Sequence, residues 1–348
     1  IDYPAQLRFK RQILADQLAK IGGLIGITVG ETLPAARPWG YRNSARFHGE
    51  GTRIGYYAAE SHDIQDVTAD PLLLPALNEV LAALREASGV GVLARCEITV
   101  RASEAYGYSV AALRGDGDRS PGAADALLAL ARRWRAACPS LAGVVIRASP
   151  AHIGADHLIE EFAGVAFHLH PTTFFQVNRS SAEALLRLVR EALAPRRADR
   201  LLDLYCGAGV FALPLAAEVT EVVGVEEHAE AIADARTTAE ENGIANAHFE
   251  VGLVERVLER LDSPFDAAIL DPPRRGCHPY ALAALLQMAP SRLVYVSCHP
   301  ATLARDLKTL VAGGYRVTTV QPVDLFPQTP HIECVCVLAN DRATPEEQ

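Results

Sequence analysis

Cys298 stands between an apolar run and a proline, in Leu293-Val-Tyr-Val-Ser-Cys298-His-Pro300-Ala-Thr-Leu-Ala-Arg-Asp306, a setting in which a thiol becomes a nucleophile. Val294 to Ser297 are mostly β-branched or aromatic and predict a buried strand. Pro300 suits a first helical turn, and apolar residues follow it at helical spacing. The backbone N–H groups of such a helix start would face the sulfur. An ordinary thiol, with a pKa near ~8.5, is about 3% thiolate at pH 7, a deficit of roughly 2 kcal/mol that a helix N-terminus can largely remove. A lone cysteine is more often a half-buried structural residue, so its partners decide the reading.

Those partners are a glycine turn and several acids. Asp203-Leu-Tyr205-Cys-Gly207-Ala-Gly209-Val-Phe211 follows one predicted strand and opens a helix, so its glycines let the backbone approach a ligand at the carboxyl edge of a sheet. The pattern fits S-adenosylmethionine and NAD alike, although the third glycine of an NAD fingerprint is missing, with Leu213 near its place. Glu226 ends the next strand, where an acid can accept both ribose hydroxyls of an adenosine. Asp271-Pro272-Pro273-Arg274 ends the fourth strand, and its prolines cannot donate to a ladder, so they form a rigid lip that fixes Asp271 beside a cofactor. Asp/Asn-Pro-Pro is common among methyltransferases acting on planar nitrogenous rings, which tilts the choice away from a dehydrogenase.

The elements that position these groups follow from periodicity. Strands are predicted over 200–206, 221–226, 247–252, 265–271, 292–298, 315–323 and 332–339. Helical stretches separate the first five, which demands parallel pairing and a doubly wound sheet. Only Asp324 to His331 separates the last two, so the seventh strand should run against the rest. This α/β arrangement resembles the class I methyltransferase fold, a Rossmann-like seven-stranded sheet with an antiparallel last strand. Residues 37–165 read as a separate, smaller α/β central domain, with strand-like runs at 54–58, 95–100 and 144–148 and helices at 72–86 and 123–137. The expected organisation is an N-terminal helical segment over 1–36 packed on the catalytic domain, the central domain over 37–165, the methyltransferase domain over 166–342 and a tail at 343–348. One amphipathic helix is expected over 3–21, with Leu7, Ile13, Leu14 and Leu18 on one side.

The motifs together are more specific than any alone. Asp271-Pro-Pro-Arg-Arg-Gly276, Ser297-Cys298-His299-Pro300-Ala-Thr302-Leu303 and Asp324-Leu-Phe326-Pro327-Gln-Thr-Pro330-His331-Ile-Glu333 occur in the order and approximate spacing of the RNA 5-methyluridine methyltransferase family, which includes tRNA (uracil-54) and 23S ribosomal RNA enzymes. Phe167-His-Leu-His-Pro171-Thr-Thr-Phe174-Phe175-Gln176-Val-Asn178 and Tyr41-Arg42-Asn43-Ser-Ala45-Arg46-Phe47 extend the resemblance over nearly the whole chain. The resemblance implies S-adenosylmethionine as methyl donor, Cys298 as the nucleophile at uracil C6, Glu333 as the base that removes the C5 proton, and Asp271 holding the uracil edge or the cofactor. It implies a cofactor site of Gln176, Tyr205, Gly207, Gly209, Glu226 and Asp271. The uridine must be flipped out of its stack for the thiol to reach it. Phe174 and Phe175 are candidates to stack on the ring, and Arg42, Arg46, Arg53 and Arg147 are candidates to contact RNA. Where the family usually has Asn after the nucleophile this chain has His299, and Val210 replaces an Asn often found after the second glycine. Many members carry an iron–sulfur cluster, but Val67-Thr68-Ala69-Asp70 lacks the expected cysteine, so no cluster and no metal are expected. The RNA-binding β-barrel of the family, when present, precedes the segment matching Ile1; since Ile1 is not Met, the natural chain is expected to begin upstream.

Composition bounds the alternatives. A length of 348 residues with 49% hydrophobic and 22% charged residues fits two packed globular domains, and no apolar run is long enough to span a membrane. Seven cysteines with no CxxC pair argue for a reducing, cytoplasmic compartment, and Cys334-Val-Cys336 places two thiols on one strand face for packing. The net charge of −9 does not itself point to nucleic acid, but positive charge clusters at Arg8-Phe-Lys10-Arg11, 37–53, 132–135 and 274–275, each of which taken alone is more often a solvated face. A monomer acting on RNA, with ribosomal RNA favoured over tRNA, is the leading expectation. The alternatives are an amino methyltransferase on a nucleobase using Asp271-Pro-Pro, for which Cys298 would be dispensable, and a non-catalytic RNA-binding assembly factor; an NAD dehydrogenase comes last.

Overall fold

The structure is a computed structural model that describes residues 1–88, 93–115, 121–147, 149–262 and 264–341. The expected tail at 343–348 lies outside the described residues. Two compact units form: one gathers Ile1–Pro38, Ala163–Val165 and the chain from Phe174 onward, and the other Trp39–Phe162 with Ala166–Thr173.

The chain opens with α1 (Tyr3–Lys20), capped by Asp2, whose carboxylate accepts the Ala5 N–H at 2.8 Å. Its buried stripe is Lys10, Leu14 and Leu18, a four-residue repeat that leaves Ile13 46% exposed, so the amphipathic face differs from the one expected by including Lys10 and excluding Ile13. In the second unit, β1 (Ser44–Gly51), β2 (Arg53–Tyr57), β3 (Ile64–Asp66), α2 (Pro75–Ser88), β4 (Leu93–Ala102), β5 (Ser109–Gly115), α3 (Pro121–Ala137), β6 (Leu141–Ile146) and β7 (His152–Gly154) build a seven-stranded sheet of order β3-β2-β1-β4-β5-β6-β7. The β5–β6 pair is parallel because α3 supplies the crossover, while the other neighbours pair antiparallel. Leu77, Leu81 and Leu84 of α2 and Trp134 of α3 pack on Phe47, Ile98, Leu113 and Val144 from one sheet face. The sequence reading found three of these strands. It missed β1, whose Ser, Gly and charged residues dilute the alternation, and β5, Ser-Val-Ala-Ala-Leu-Arg-Gly, whose alanines favour helix.

A hairpin of β8 (Leu158–Phe162) and β9 (Val165–Leu169) follows, then α4 (Arg179–Leu193) and the sheet that holds the motifs. Its elements are β10 (Arg200–Leu204), α5 (Ala212–Leu215), β11 (Glu221–Glu226), α6 (Ala229–Glu241), β12 (Ala247–Val251), α7 (Val254–Leu258), β13 (Ala267–Leu270), α8 (Pro279–Met288), β14 (Arg292–Ser297), α9 (Pro300–Ala312), β15 (Tyr315–Val323) and β16 (Glu333–Asn340). The order β12-β11-β10-β13-β14-β16-β15, parallel except for antiparallel β16, is the doubly wound sheet anticipated. Leu303, Leu307 and Leu310 bury one side of α9 among the apolar residues of this sheet, each contributing about 1.5–3 kcal/mol.

Inside this unit α1 is tied to the segment between β15 and β16. Lys10 Nζ lies 2.6 Å from Asp324 Oδ1, both side chains nearly sealed from solvent, and also donates to the Phe326 carbonyl at 2.9 Å. Ser181 Oγ donates to the Asp324 carbonyl and Asn178 Nδ2 to the Leu325 carbonyl, so three consecutive carbonyls ahead of β16 are held by side chains. Removing one partner of a buried ion pair strands the other. Lys10→Met should therefore cost about 3–5 kcal/mol of stability, read as a lower guanidinium chloride midpoint, and adding Asp324→Leu should recover much of it. A midpoint unchanged in the single variant would show that the pair carries no stability.

Candidate active site

Strand ends at one sheet edge bring the sequence motifs together. β14 stops at Ser297, and Cys298 is the half-buried residue between it and α9. Ser297 pairs with Cys334 of antiparallel β16, so the next step of the register sets Cys298 across from Glu333, the first residue of that strand. Asp271 follows the end of β13, the parallel neighbour of β14, and its N–H donates to the Leu204 carbonyl at 3.2 Å. Glu226 ends β11 and Asp203 lies within β10. Cys298, Asp271, Glu333, Asp203 and Glu226 therefore line the carboxyl edge of consecutive strands in one sheet.

The glycine turn after β10 is built from left-handed residues. Tyr205, Gly207 and Gly209 have φ of +64°, +55° and +81°. A non-glycine residue at positive φ costs about 1–3 kcal/mol and persists only where its surroundings impose it, and here it ends β10 two residues before the strand end read from sequence. A Cβ on Gly207 would meet open space, whereas one on Gly209 would lie 3.1 Å from Leu213. The Gly207 N–H donates to Glu226 Oε2 at 3.3 Å, while Glu226 Oε1 accepts the His228 N–H at 2.9 Å. The helix expected to open from the turn is only the single turn of α5, so the site owes its polarity to side chains and turn N–H groups instead of a long helix. Gln176 is buried in the segment before α4, in the same unit.

Asp271-Pro-Pro-Arg-Arg-Gly276 forms a tight lip. The Gly276 N–H donates to the Pro273 carbonyl at 2.7 Å with Gly276 at φ +76°, and a Cβ there would come within 2.6 Å of Asp306 Oδ2. That oxygen accepts the Cys277 N–H at 2.8 Å and the Tyr295 hydroxyl at 2.7 Å, which ties the lip to α9 and β14. Asp306 and Tyr295 were not among the sequence candidates. A charged residue inside the apolar helical face Leu303-Ala304-Leu307 was the available signal.

His299 caps α9: its Nδ1 accepts the Thr302 N–H at 3.4 Å, and Ser297 Oγ accepts the His299 N–H at 3.1 Å. The helix start read from sequence is present, but the thiol is not activated by it in the ligand-free chain. Burial pushes Cys298 up to about 12, with the charges of Glu333 and then Asp271 adding to the rise and Arg274 opposing it. Burial likewise raises Glu333 and Asp271, each further raised by charge, Asp271 acting on Glu333 and Glu226 on Asp271. Asp203, fully buried, is raised by burial and by Asp271; its Oδ2 accepts the Ala212 N–H at 3.0 Å, while Oδ1 has no hydrogen-bond partner among the described residues. Sequence reasoning did not assign Asp203 a role, although an acid inside Leu201-Leu-Asp203-Leu was legible. An edge that concentrates buried carboxyls beside a thiol and an open turn fits a cationic ligand carrying hydroxyl groups.

The other candidates sit elsewhere. Phe174 is 67% exposed and Phe175 is buried, both in the unit that holds the thiol. Arg42, Arg46, Arg53 and Arg147 belong to the other unit. Arg42 is a bridge residue beside Leu73, Arg53 is exposed on β2, and Arg46 and Arg147 each lie 3.9 Å from Glu97. Cys334 and Cys336 are buried free thiols of the sheet core. No described helix is long and apolar enough to cross a membrane.

Comparison with known proteins agrees with this geometry. The tRNA (Uracil-5-)-methyltransferase family model matches residues 158–341. An RNA methyltransferase of Thermosynechococcus vestitus is 38% identical over 97% of this chain and 80% of its own length, and one from Gloeobacter violaceus is 39% identical over 97% and 79%. The crystal structure of Pyrococcus abyssi tRNA (uracil-54, C5)-methyltransferase in complex with S-adenosyl-L-homocysteine superposes with a TM-score of 0.77 at 26% identity, covering 97% of this chain and 84% of that one. With its thiol, acids and glycine turn assembled at one sheet edge of the matching fold, the chain belongs to the tRNA (uracil-5-)-methyltransferase family of RNA methyltransferases.

Proposed function

We propose that the chain transfers a methyl group from S-adenosylmethionine to C5 of a uridine in RNA, with Cys298 as covalent nucleophile. The observation that carries this reading is the register that sets Cys298, the one half-buried cysteine among the described residues, across from the buried acid Glu333. Gln176, Tyr205, Gly207, Gly209 and Glu226 would hold the cofactor, which when bound supplies an electrophilic methyl group on a positively charged sulfur. The open space at Gly207 and the carboxyls of Asp203, Glu226 and Asp271 suit such a cation. C5 of uracil is a poor nucleophile until the Cys298 thiolate adds at C6 and converts the ring to an enolate. Asp271 holds the uracil edge. After C5 is methylated, Glu333 takes its proton, the enolate re-forms, and the bond from C6 to Sγ breaks. The uridine must leave its stack to be attacked, and exposed Phe174 can stack on the flipped ring.

Ribosomal RNA is the first substrate class proposed, on the resemblance of the central domain. tRNA is the second, because the family model and the superposing structure both derive from tRNA enzymes. Sequencing-based mapping of 5-methyluridine in both RNA classes, from cells with and without the gene, should show one site lost from ribosomal RNA; a loss confined to tRNA would select the second reading.

Two variants separate the chemical roles. Cys298→Ala should abolish labelled methyl transfer and the adduct with 5-fluorouridine RNA. Glu333→Gln should still form the adduct but turn over about 10²–10⁴-fold more slowly, because the C5 proton has no acceptor. Full activity of Cys298→Ala would remove the cysteine mechanism. The thiol's acidity gives a further check. With its pKa pushed up to about 12, the thiolate fraction of Cys298 in the ligand-free protein should rise about tenfold per pH unit through pH 9. Iodoacetamide labelling of the Cys298 peptide, followed by mass spectrometry, should climb accordingly, and a plateau near pH 7–8 would show an activated thiolate instead.

A further inference from the structure

The seven-stranded sheet of the second unit has one face packed under α2 and α3, and strand register assigns what lies on the other. His48 pairs with Gly55 on β2 and with Glu97 on β4, Glu50 pairs with Arg53, and Glu97 pairs with Arg114 on β5. Paired residues, and residues two apart along a strand, share a face. Arg46, His48, Arg53, Tyr57, Glu97 and Arg114 therefore point away from the helices, since Phe47, Ile98 and Leu113 of the alternate set belong to the helix-packed core. Arg147 follows β6 in the same phase, because Val145 pairs with Ala112. Three arginines converge on the Glu97 carboxylate, Arg114 at 3.1 Å and Arg46 and Arg147 at 3.9 Å, and the Arg46 and Arg114 side chains stay 59% and 53% exposed. Arg95 adds its charge to the same neighbourhood, as His48 senses it together with Arg46, Arg114 and Glu97.

Thr99, Arg101, Val110 and Ala112 share this phase but are buried, and we propose that the exposed part of the face, around Glu97, is a docking surface for the phosphate backbone of the RNA substrate. The inference rests on the RNA methyltransferase reading and adds which residues of the second unit grip the RNA. Positive charge exceeds negative here, five arginines against Glu50, Glu97 and Asp66, the last already paired with Arg85 of α2, in a chain whose net charge is −9. From β2 to β6 the arginines span four interstrand steps of about 4.8 Å, roughly 19 Å, enough for several phosphates. Glu97 holds three guanidinium groups in place without neutralising them, and guanidinium forks match phosphate oxygens. Beside them His48 and Tyr57 stack with centroids 3.7 Å apart and planes 16° apart, a flat surface for a sugar or base. The competing arginine cluster does not offer this. Arg133 and Arg135 donate to the Ala87 and Ala142 carbonyls, and Trp134 between them is buried, so that cluster staples α3 to the fold.

The test replaces Arg46, Arg114 and Arg147 together by Ala and measures binding to in vitro transcripts of tRNA and of a ribosomal RNA domain across a salt series. The affinity at about 0.1 M salt should fall at least tenfold, and the slope of log K against log salt should shrink by about two to three, as expected for loss of three phosphate contacts. S-adenosylmethionine affinity and the unfolding midpoint should stay as in the wild type, Lys at the three positions should restore the slope, and Arg132→Ala, on exposed α3, should change nothing. A triple variant with wild-type affinity and slope for both transcripts would overturn the proposal. That outcome is separate from failure of the methyltransferase reading, which is decided by Cys298→Ala.

Discussion

The antiparallel pairing of β16 with β14 is the constraint on which the site depends. In a parallel sheet every strand delivers its last residue to the carboxyl edge, so an acid at the start of a strand would lie at the far end. Because β16 runs backwards, its first residue, Glu333, arrives where β14 releases Cys298. The segment that reverses the chain must then be held firmly, and it is: Ser181, Asn178 and Lys10 take the carbonyls of Asp324, Leu325 and Phe326 in turn. This gives the N-terminal helix a role in the geometry of a residue more than three hundred positions away. The Lys10–Asp324 pair links the two through a buried contact that solvent does not screen.

Two electrostatic influences compete at the thiol, and their sizes decide the outcome. A helix start favours an anion by about 0.3–1 kcal/mol, up to ~2 kcal/mol when partly buried. Unit charges about 5 Å apart at an effective dielectric of 20 interact by roughly 3 kcal/mol, and burial adds its own penalty on the charged form. Burial of the sulfur, with two acids beside it, therefore outweighs one helix start, which is why Cys298 is raised despite sitting at the N-terminus of α9. The same balance means that positive charge brought to this edge acts on every group there at once. Asp203, Asp271 and Glu333 are all raised, first by burial and then by neighbouring negative charge.

What was legible in the sequence was what local chemistry imposes. The strand-turn elements of the second half, the glycine turn, the proline lip and the antiparallel last strand all leave marks in residue type and spacing. The bounds of β11 and β15 were read without error, while β10 ends early because Tyr205 takes a left-handed conformation that its residue type does not advertise. Contacts between distant segments left no such mark. Lys10 read as a solvent-facing charge on α1, yet it is buried because Asp324, at the other end of the chain, needs a partner. The central sheet was under-read for a related reason: β1 carries Arg46, His48 and Glu50 on one face and only Ala45, Phe47 and two glycines on the other, a pattern that makes sense once its exposed face is seen as charged.

His299 shows how a departure from a family pattern can preserve a physical role. Asparagine at a helix N-cap offers a carbonyl oxygen to an N–H group in the first turn. The imidazole of His299 offers Nδ1 to the Thr302 N–H, with Ser297 Oγ steadying its own N–H, so the cap survives in a different side chain. Acceptance at Nδ1 requires that nitrogen to be unprotonated, which leaves the proton of the neutral ring on Nε2. Through Nδ1 the ring holds the start of α9, and with it the backbone beside Cys298, so the residue after the thiol fixes the position from which the thiol is presented.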